Sequence, residues 1–223
     1  MDLGVTGEGG WFQWSPDGTL MLYDVNLGTN YVVPTTGGAP VPLGGPGLHP
    51  SWSPDGSKVL YEDGLNLFTI LANGTGVIQL TTGTIGHGDP AYSPDGGKIV
   101  YANGDIWVVN ADGSNPSDLT PGLAVTNVSA GGAPVWSPDG NKIAFTLGSS
   151  TGVVEVMNAN GGNLTQVSLT GMGVYNVCWG PDNQSVIYET GGNLLVKVQA
   201  DGSGSVTLAT GVVISSADWV YGH

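Results

Sequence analysis

Five times along the chain an aromatic residue leads into a Pro-Asp turn: Trp14-Ser-Pro-Asp-Gly18, Trp52-Ser-Pro-Asp-Gly56, Tyr92-Ser-Pro-Asp-Gly96, Trp136-Ser-Pro-Asp-Gly140 and, in degenerate form, Trp179-Gly-Pro-Asp-Asn183. The aromatic positions advance by 38, 40, 44 and 43 residues, and a sixth aromatic, Trp219, follows after another 40. A unit this short cannot bury its own apolar surface, so it has to lean on copies of itself. That requirement limits the folds open to the chain more than any other feature.

The second copy shows what one unit contains. Leu48-His-Pro-Ser-Trp52, Lys58-Val-Leu-Tyr61, Asn66-Leu-Phe-Thr-Ile70 and Val77-Ile-Gln-Leu-Thr81 are four short apolar runs, each bounded by turn residues. In Ser-Pro-Asp-Gly, Pro presets φ, Asp bonds back to the local backbone and Gly takes the positive φ that ends the turn. Between the third and fourth runs Asn-Gly or Asp-Gly recurs, in Ala72-Asn-Gly74, Ala111-Asp-Gly113, Asn158-Ala-Asn-Gly161 and Ala200-Asp-Gly202, which predicts type I′ hairpins. Four strands joined by tight turns form one antiparallel meander with two apolar faces. A period of about forty residues and four strands is the signature of a propeller blade.

The pattern P-x-W-S-P-D-G-x-x-I-x-F/Y, at Pro50 to Tyr61, at Pro90 to Tyr101 with Tyr for Trp, and at Pro134 to Phe145, resembles the TolB-like, WD40-like PD40 β-propeller repeat. The resemblance runs from about Gly10 to Tyr221 and implies an all-β propeller of four-stranded antiparallel blades. It implies little about function, because propellers with this repeat occur in periplasmic scaffolds, cell-surface proteins and the gating domains of peptidases, so function has to come from a site. The expected organisation is a single domain over 1–223, with repeats at about 10–47, 48–87, 88–130, 131–173 and 174–211. Terminal strands are expected in 1–9 and 212–223, and the ring counts five blades or six. Ile214 to Tyr221 reads as a further first strand with no second or third behind it. Either the termini close the ring, or a terminal strand pairs with another molecule across a bare edge.

Composition narrows the partners. The 223 residues include four Lys, no Arg and 18 acids, for a net charge of −14. Such a field repels phosphate backbones and anionic lipid, so neither nucleic acid nor a membrane surface is expected as partner. No apolar run approaches a membrane span, and the first ten residues lack the pattern of a signal peptide, so a secreted form would start as a mature chain. The single Cys178 sits between Val177 and Trp179 and reads as a small core hydrophobe.

The candidate site residues are few. Asp17, Asp55, Asp95, Asp139 and Asp182 belong to turns set apart around the ring, and their turn role accounts for them. His49, His87 and Asp89 stand at the entry to the first strands of the second and third units, where a propeller channel opens; their spacing carries no metal signature. Trp14, Trp52, Tyr92, Trp136 and Trp179 read as wedges between blades, whereas Trp107 and Trp219 break the repeat and read as surface contacts. No Gly-x-Ser-x-Gly elbow, phosphate loop or helix is apparent, so the expectation is no catalytic residue, no metal, no cofactor and no enzyme activity. Four sequons, at Asn73, Asn127, Asn163 and Asn183, together with the scarcity of Lys and Arg, tilt the location toward the extracytoplasmic side. The reading is an interaction scaffold that binds a protein partner or self-associates through its terminal strands. The alternatives are a glycan- or small-ligand-binding propeller and a propeller derived from a hydrolase.

Overall fold

A computed structural model describes residues 12–25, 29–83, 88–123, 133–148, 152–171 and 173–211. Every regular element in them is a strand, and the strands form five separate four-stranded sheets in chain order. Blade 1 holds β1 (Phe12–Trp14), β2 (Leu20–Val25), β3 (Thr29–Pro34) and β4 (Val41–Pro46). Blade 2 holds β5 (Leu48–Trp52), β6 (Lys58–Glu62), β7 (Leu67–Leu71) and β8 (Ile78–Gln79). Blade 3 holds β9 (Gly88–Tyr92), β10 (Lys98–Asn103), β11 (Asp105–Asn110) and β12 (Ser117–Asp118). Blade 4 holds β13 (Val135–Trp136), β14 (Lys142–Leu147), β15 (Val153–Asn158) and β16 (Thr165–Gln166). Blade 5 holds β17 (Val174–Trp179), β18 (Ser185–Thr190), β19 (Leu194–Gln199) and β20 (Val206–Thr210). The fold is the propeller that the repeat demands.

Strand geometry explains the sequence pattern. Neighbouring residues point to opposite faces of a sheet, so the middle strands of a blade are covered on both faces, and β18 is buried at all six positions, the polar Ser185, Glu189 and Thr190 included. Val59 and Ile70, paired across β6 and β7, face blade 1, while Leu60 and Leu67 face blade 3. The outer strands vary: β8, β12 and β16 are two residues each, whereas β4 and β20 run to six and five.

The type I′ expectation is corrected. Of the Asn-Gly and Asp-Gly links, only the glycines have positive φ (Gly74 78°, Gly113 84°, Gly161 84°, Gly202 84°). Gly74 N–H donates to Leu71 O at 2.8 Å and Leu71 N–H to Thr75 O at 3.0 Å, and the other three links repeat this pair. These are three-residue connections in which a type I turn is followed by a left-handed Gly. The preceding Asn or Asp supplies the extra hold, since Asp112 Oδ1 accepts from both the N–H and the hydroxyl of Ser114. Gly is required for a second reason, because a Cβ at Gly113 would lie 2.8 Å from the Leu80 carbonyl oxygen of the preceding blade.

The core is divided among the joints between blades. Leu22, Val32, Trp52 and Ile70 fill the joint of blades 1 and 2, and Leu60, Leu67, Ile99 and Val109 that of blades 2 and 3. Val100, Ile106, Trp136 and Phe145 fill the joint of blades 3 and 4, and Val156, Val177, Trp179 and Tyr188 that of blades 4 and 5. Cys178 is buried and its thiol donates to the Ile187 carbonyl at 3.7 Å, as befits a small core side chain.

Candidate functional site

The repeated aromatic does more than fill a wedge. Trp52 Nε1 donates to Gln13 O at 3.3 Å, Trp136 Nε1 to Ala91 O at 3.2 Å and Trp179 Nε1 to Val135 O at 3.1 Å. In each case the acceptor is the residue just before the aromatic in the first strand of the preceding blade. The indole thus ties two first strands together while its ring closes the joint, and the three indoles are only 4–9% exposed.

Two members of the series depart from this. Tyr92 stands where an indole would reach back to Ser51, and among the described residues its hydroxyl is buried without a partner, as is the Ser51 hydroxyl. Burial, with the nearby Asp55 carboxylate, pushes the Tyr92 phenol up to about 12. Trp14 departs further. Read from sequence as a core wedge, it is 55% exposed, and Phe12 beside it 65%. Five blades make four apolar joints among the described residues, and the face of blade 1 that should enter a fifth presents Phe12 and Trp14 to solvent. Middle positions on that face, Tyr23 and Val33, are buried, so the uncovered part is the first strand.

The turn aspartates are structural, as their sequence context implied. Asp55 Oδ1 accepts from Ser53 Oγ at 2.6 Å and from the N–H of Ser57 at 3.0 Å. These bonds, that of Ser53 first, hold the carboxyl down at about 2. The Ser hydroxyl two residues before Asp17, Asp95 and Asp139 lowers each of them in the same way. One expectation is corrected: the turns do not stand apart. A Cβ at Gly56, Gly96 or Gly140 would lie 3.5–3.6 Å from Pro16, Pro54 or Pro94 of the preceding turn, so each turn rests on the one before. Asp139 N–H also donates to Asn183 Oδ1 at 2.8 Å across the last joint. Between successive turns lie niches of about 350 Å³, lined by Ser53, Asp55, Lys58, Tyr92 and Asp95, and about 500 Å³, lined by Asp95, Lys98, Trp136 and Asp139.

At the opposite end of the first strands, bulges turn one residue into the left-handed region: His49 (φ 47°) in β5 and Asn176 (φ 45°) in β17. The second strand carries a buried carboxylate opposite the residue just before each of them, Glu62 opposite Leu48 and Glu189 opposite Tyr175. His49 Nδ1 lies 2.6 Å from Glu62 Oε1, and Asn176 Nδ2 donates to Glu189 Oε2 at 3.3 Å. Asn cannot move a proton, yet it holds the same position as His49. The shared task is therefore to satisfy a carboxylate that burial would otherwise penalise. Asp89 occupies the matching backbone position in β9, while His87 and Trp219 lie outside the described residues. Among the described residues no group of three or more His, Cys, Asp or Glu is placed to hold a metal ion.

Trp107 is also corrected. It pairs with Tyr101 and Asp118, in the register that Phe68 holds opposite Tyr61, and packs half-buried against the joint of blades 2 and 3. It obeys the repeat. Among the described tryptophans the one that escapes burial is Trp14, and its turn, which matches those of the buried tryptophans, does not signal this.

No protein-family model matches the chain, and no curated protein aligns with it. Its structure is similar to that of a putative TolB from Agrobacterium tumefaciens, with a TM-score of 0.68 and 19% identity over 89% of this chain and 79% of that one. TolB from Acinetobacter baumannii superposes with a TM-score of 0.67 at 21% identity, over 91% of this chain and 55% of that one. An oligogalacturonate lyase from Vibrio parahaemolyticus superposes with a TM-score of 0.68 at 13% identity, over 88% of this chain and 63% of that one. The chain thus spans most of the first of these proteins and little more than half of the other two. At these identities the likeness concerns architecture, and in architecture the chain is a TolB-like β-propeller.

Proposed function

We propose that this propeller is a non-enzymatic, extracytoplasmic scaffold that binds protein through the uncovered first strand of blade 1. The observation that carries the reading is the contrast between Trp14, 55% exposed, and Trp52, Trp136 and Trp179, at 9% or less. Two large aromatics exposed side by side on one strand make the kind of apolar patch that marks an interaction site. The polar groups that could have suggested chemistry have structural duties: the turn aspartates hold hairpins, and His49 and Asn176 satisfy buried carboxylates. Scarce Lys and Arg, with sequons at exposed Asn73 and Asn163, favour the extracytoplasmic side.

A second reading, small-ligand or glycan binding, draws on the niche of about 350 Å³ beside Tyr92. Thermal melts against oligogalacturonate, a glycan panel and Ca²⁺ separate the two. A ligand of the folded state at a hundred times its Kd adds about 2.7 kcal/mol, which would raise Tm by roughly 5–10 °C in a chain of this size. A flat response supports the scaffold; such a rise from any of these ligands overturns it in favour of the niche.

A further inference from the structure

We propose that the groove between blades 2 and 3, at the end of the propeller where the Pro-Asp turns lie, docks an extended segment of a partner protein in which a single basic residue adjoins a bulky apolar one. This surface is separate from the first strand of blade 1, and the chemistry of its partner goes beyond the scaffold reading. Two departures from the repeat meet here. The residue that ends the third strand is Asn110, Asn158 or Gln199 in blades 3, 4 and 5, but Leu71 in blade 2. On the fourth strand the matching position is Ser117 in blade 3 and Thr165 in blade 4, but Ile78 in blade 2. Leu71 pairs with Lys58 and Ile78 with Thr69, which places all of them on the face that Leu60 and Leu67 turn toward blade 3. Leu71 is 36% exposed and Ile78 50%, so the outer part of this groove is apolar where the next groove carries Asn110 and Ser117.

The other departure is at Asp95. Each turn aspartate spends Oδ1 on its own hairpin. In four of the five a residue two or three further on also donates to Oδ2, namely Thr19, Ser57, Asn141 and Ser185, at 2.8–2.9 Å. In the third turn that position is Gly97, so Asp95 accepts from Ser93 Oγ and Gly97 N–H through Oδ1 alone. Its Oδ2 has no hydrogen-bond donor among the described residues, and Lys98, whose charge lowers Asp95, makes no ion pair with it. Asp95 and Tyr92 line the niche of about 350 Å³ at the inner part of the groove, beside Lys58. A guanidinium or ammonium placed there bonds the free carboxylate oxygen and lies against an aromatic ring. Lys58 repels a second cation, which is why one basic residue fits and a run of them does not.

The chain cannot fill this site itself. Its cations are Lys58, Lys98, Lys142 and Lys197, all among the described residues, and it has no Arg, so no other segment brings a positive charge to Asp95. A second copy has the same shortage and carries −14, whereas a foreign basic segment is drawn in by that field.

The test is a selection of short random peptides displayed on phage against the immobilised full chain, followed by fluorescence anisotropy of the enriched peptides made synthetically. The enriched sequences are expected to carry a Lys or Arg close to a bulky apolar residue. Affinity should fall by about tenfold or more in the double variant Leu71→Asn with Ile78→Ser, and separately in Asp95→Asn, as when interface anchors are removed. Both substitutions have precedent in the fold. Asn110 and Ser117 hold the first two positions in blade 3, and Asn73 Oδ1 accepts the N–H two residues on just as Asp95 does. Circular dichroism melts identify any variant that fails to fold. Trp14→Ala should bind the peptides as the wild type does, and a loss there would place them on the first strand of blade 1 and overturn the proposal. No enrichment, enriched peptides without a basic residue, or equal binding by all variants also overturns it. So does self-association of the wild type that the double variant abolishes, which would make a second copy the occupant. The glycan and Ca²⁺ melts judge the scaffold reading separately.

Discussion

The joint between blades 3 and 4 and the leading face of blade 1 start from the same five residues, Trp-Ser-Pro-Asp-Gly, and end in opposite states. At the joint, Trp136 is 9% exposed, bonds to Ala91 O at 3.2 Å and packs among Val100, Ile106 and Phe145. On blade 1, Trp14 heads an identical turn, with Ser15 Oγ donating to Asp17 at 2.6 Å as Ser137 Oγ does to Asp139 at 2.7 Å, and remains in solvent. The turns differ in their neighbours too. Gly140 rests on Pro94, while nothing lies within 4 Å of where a Cβ of Gly18 would be. The motif secures its hairpin by itself, but what becomes of its aromatic depends on the preceding blade.

The sharpest way to break the comparison is to truncate both aromatics. Trp136→Ala should cost about 3–5 kcal/mol, the usual range for emptying a large aromatic site, while Trp14→Ala should stay within about 0.5 kcal/mol in the monomer. Urea unfolding at low protein concentration measures both, and equal losses would show that Trp14 has a hidden partner. Next comes Gly113→Ala, which puts a methyl 2.8 Å from the Leu80 carbonyl oxygen at a positive φ. A loss above about 1 kcal/mol is expected, and a neutral result would mean that the joint of blades 2 and 3 is looser than its neighbours.

That joint can also be strengthened. Tyr92→Trp should supply the missing indole-to-carbonyl bond, worth about 1 kcal/mol, and raise Tm by roughly 2–4 °C. A fall in Tm would show that the niche cannot take the larger ring. The smallest effect concerns pH. Because the folded carboxyl of Asp55 titrates at about 2, below its ordinary 3.8, its contribution is present above the higher value and lost as pH falls through the lower. Melts between pH 4 and pH 2 should show Tm declining, with a shallower slope in Asp55→Asn; an unchanged slope would assign the acid sensitivity to other groups.

Much of the fold was legible in the sequence because it is locally encoded. Pro54, Asp55 and Gly56 specify a turn through their own backbone preferences, and recurrence at forty residues repeats it. The candidate site was not legible in the same way. Trp107 looked irregular until pairing with Tyr101 placed it in the register of Phe68. His49 suggested chemistry until Asn176 was found in the same bulge beside the same kind of buried carboxylate.

The sequence alone determined that sheets of four strands stack around an axis, since each unit carries its turns and its two apolar faces within about forty residues. Only the tertiary structure decided which of those faces are covered. Burial is a property of a residue and its neighbour together, and the neighbour of Trp52 is another blade of the same chain, whereas Trp14 has no such blade before it among the described residues.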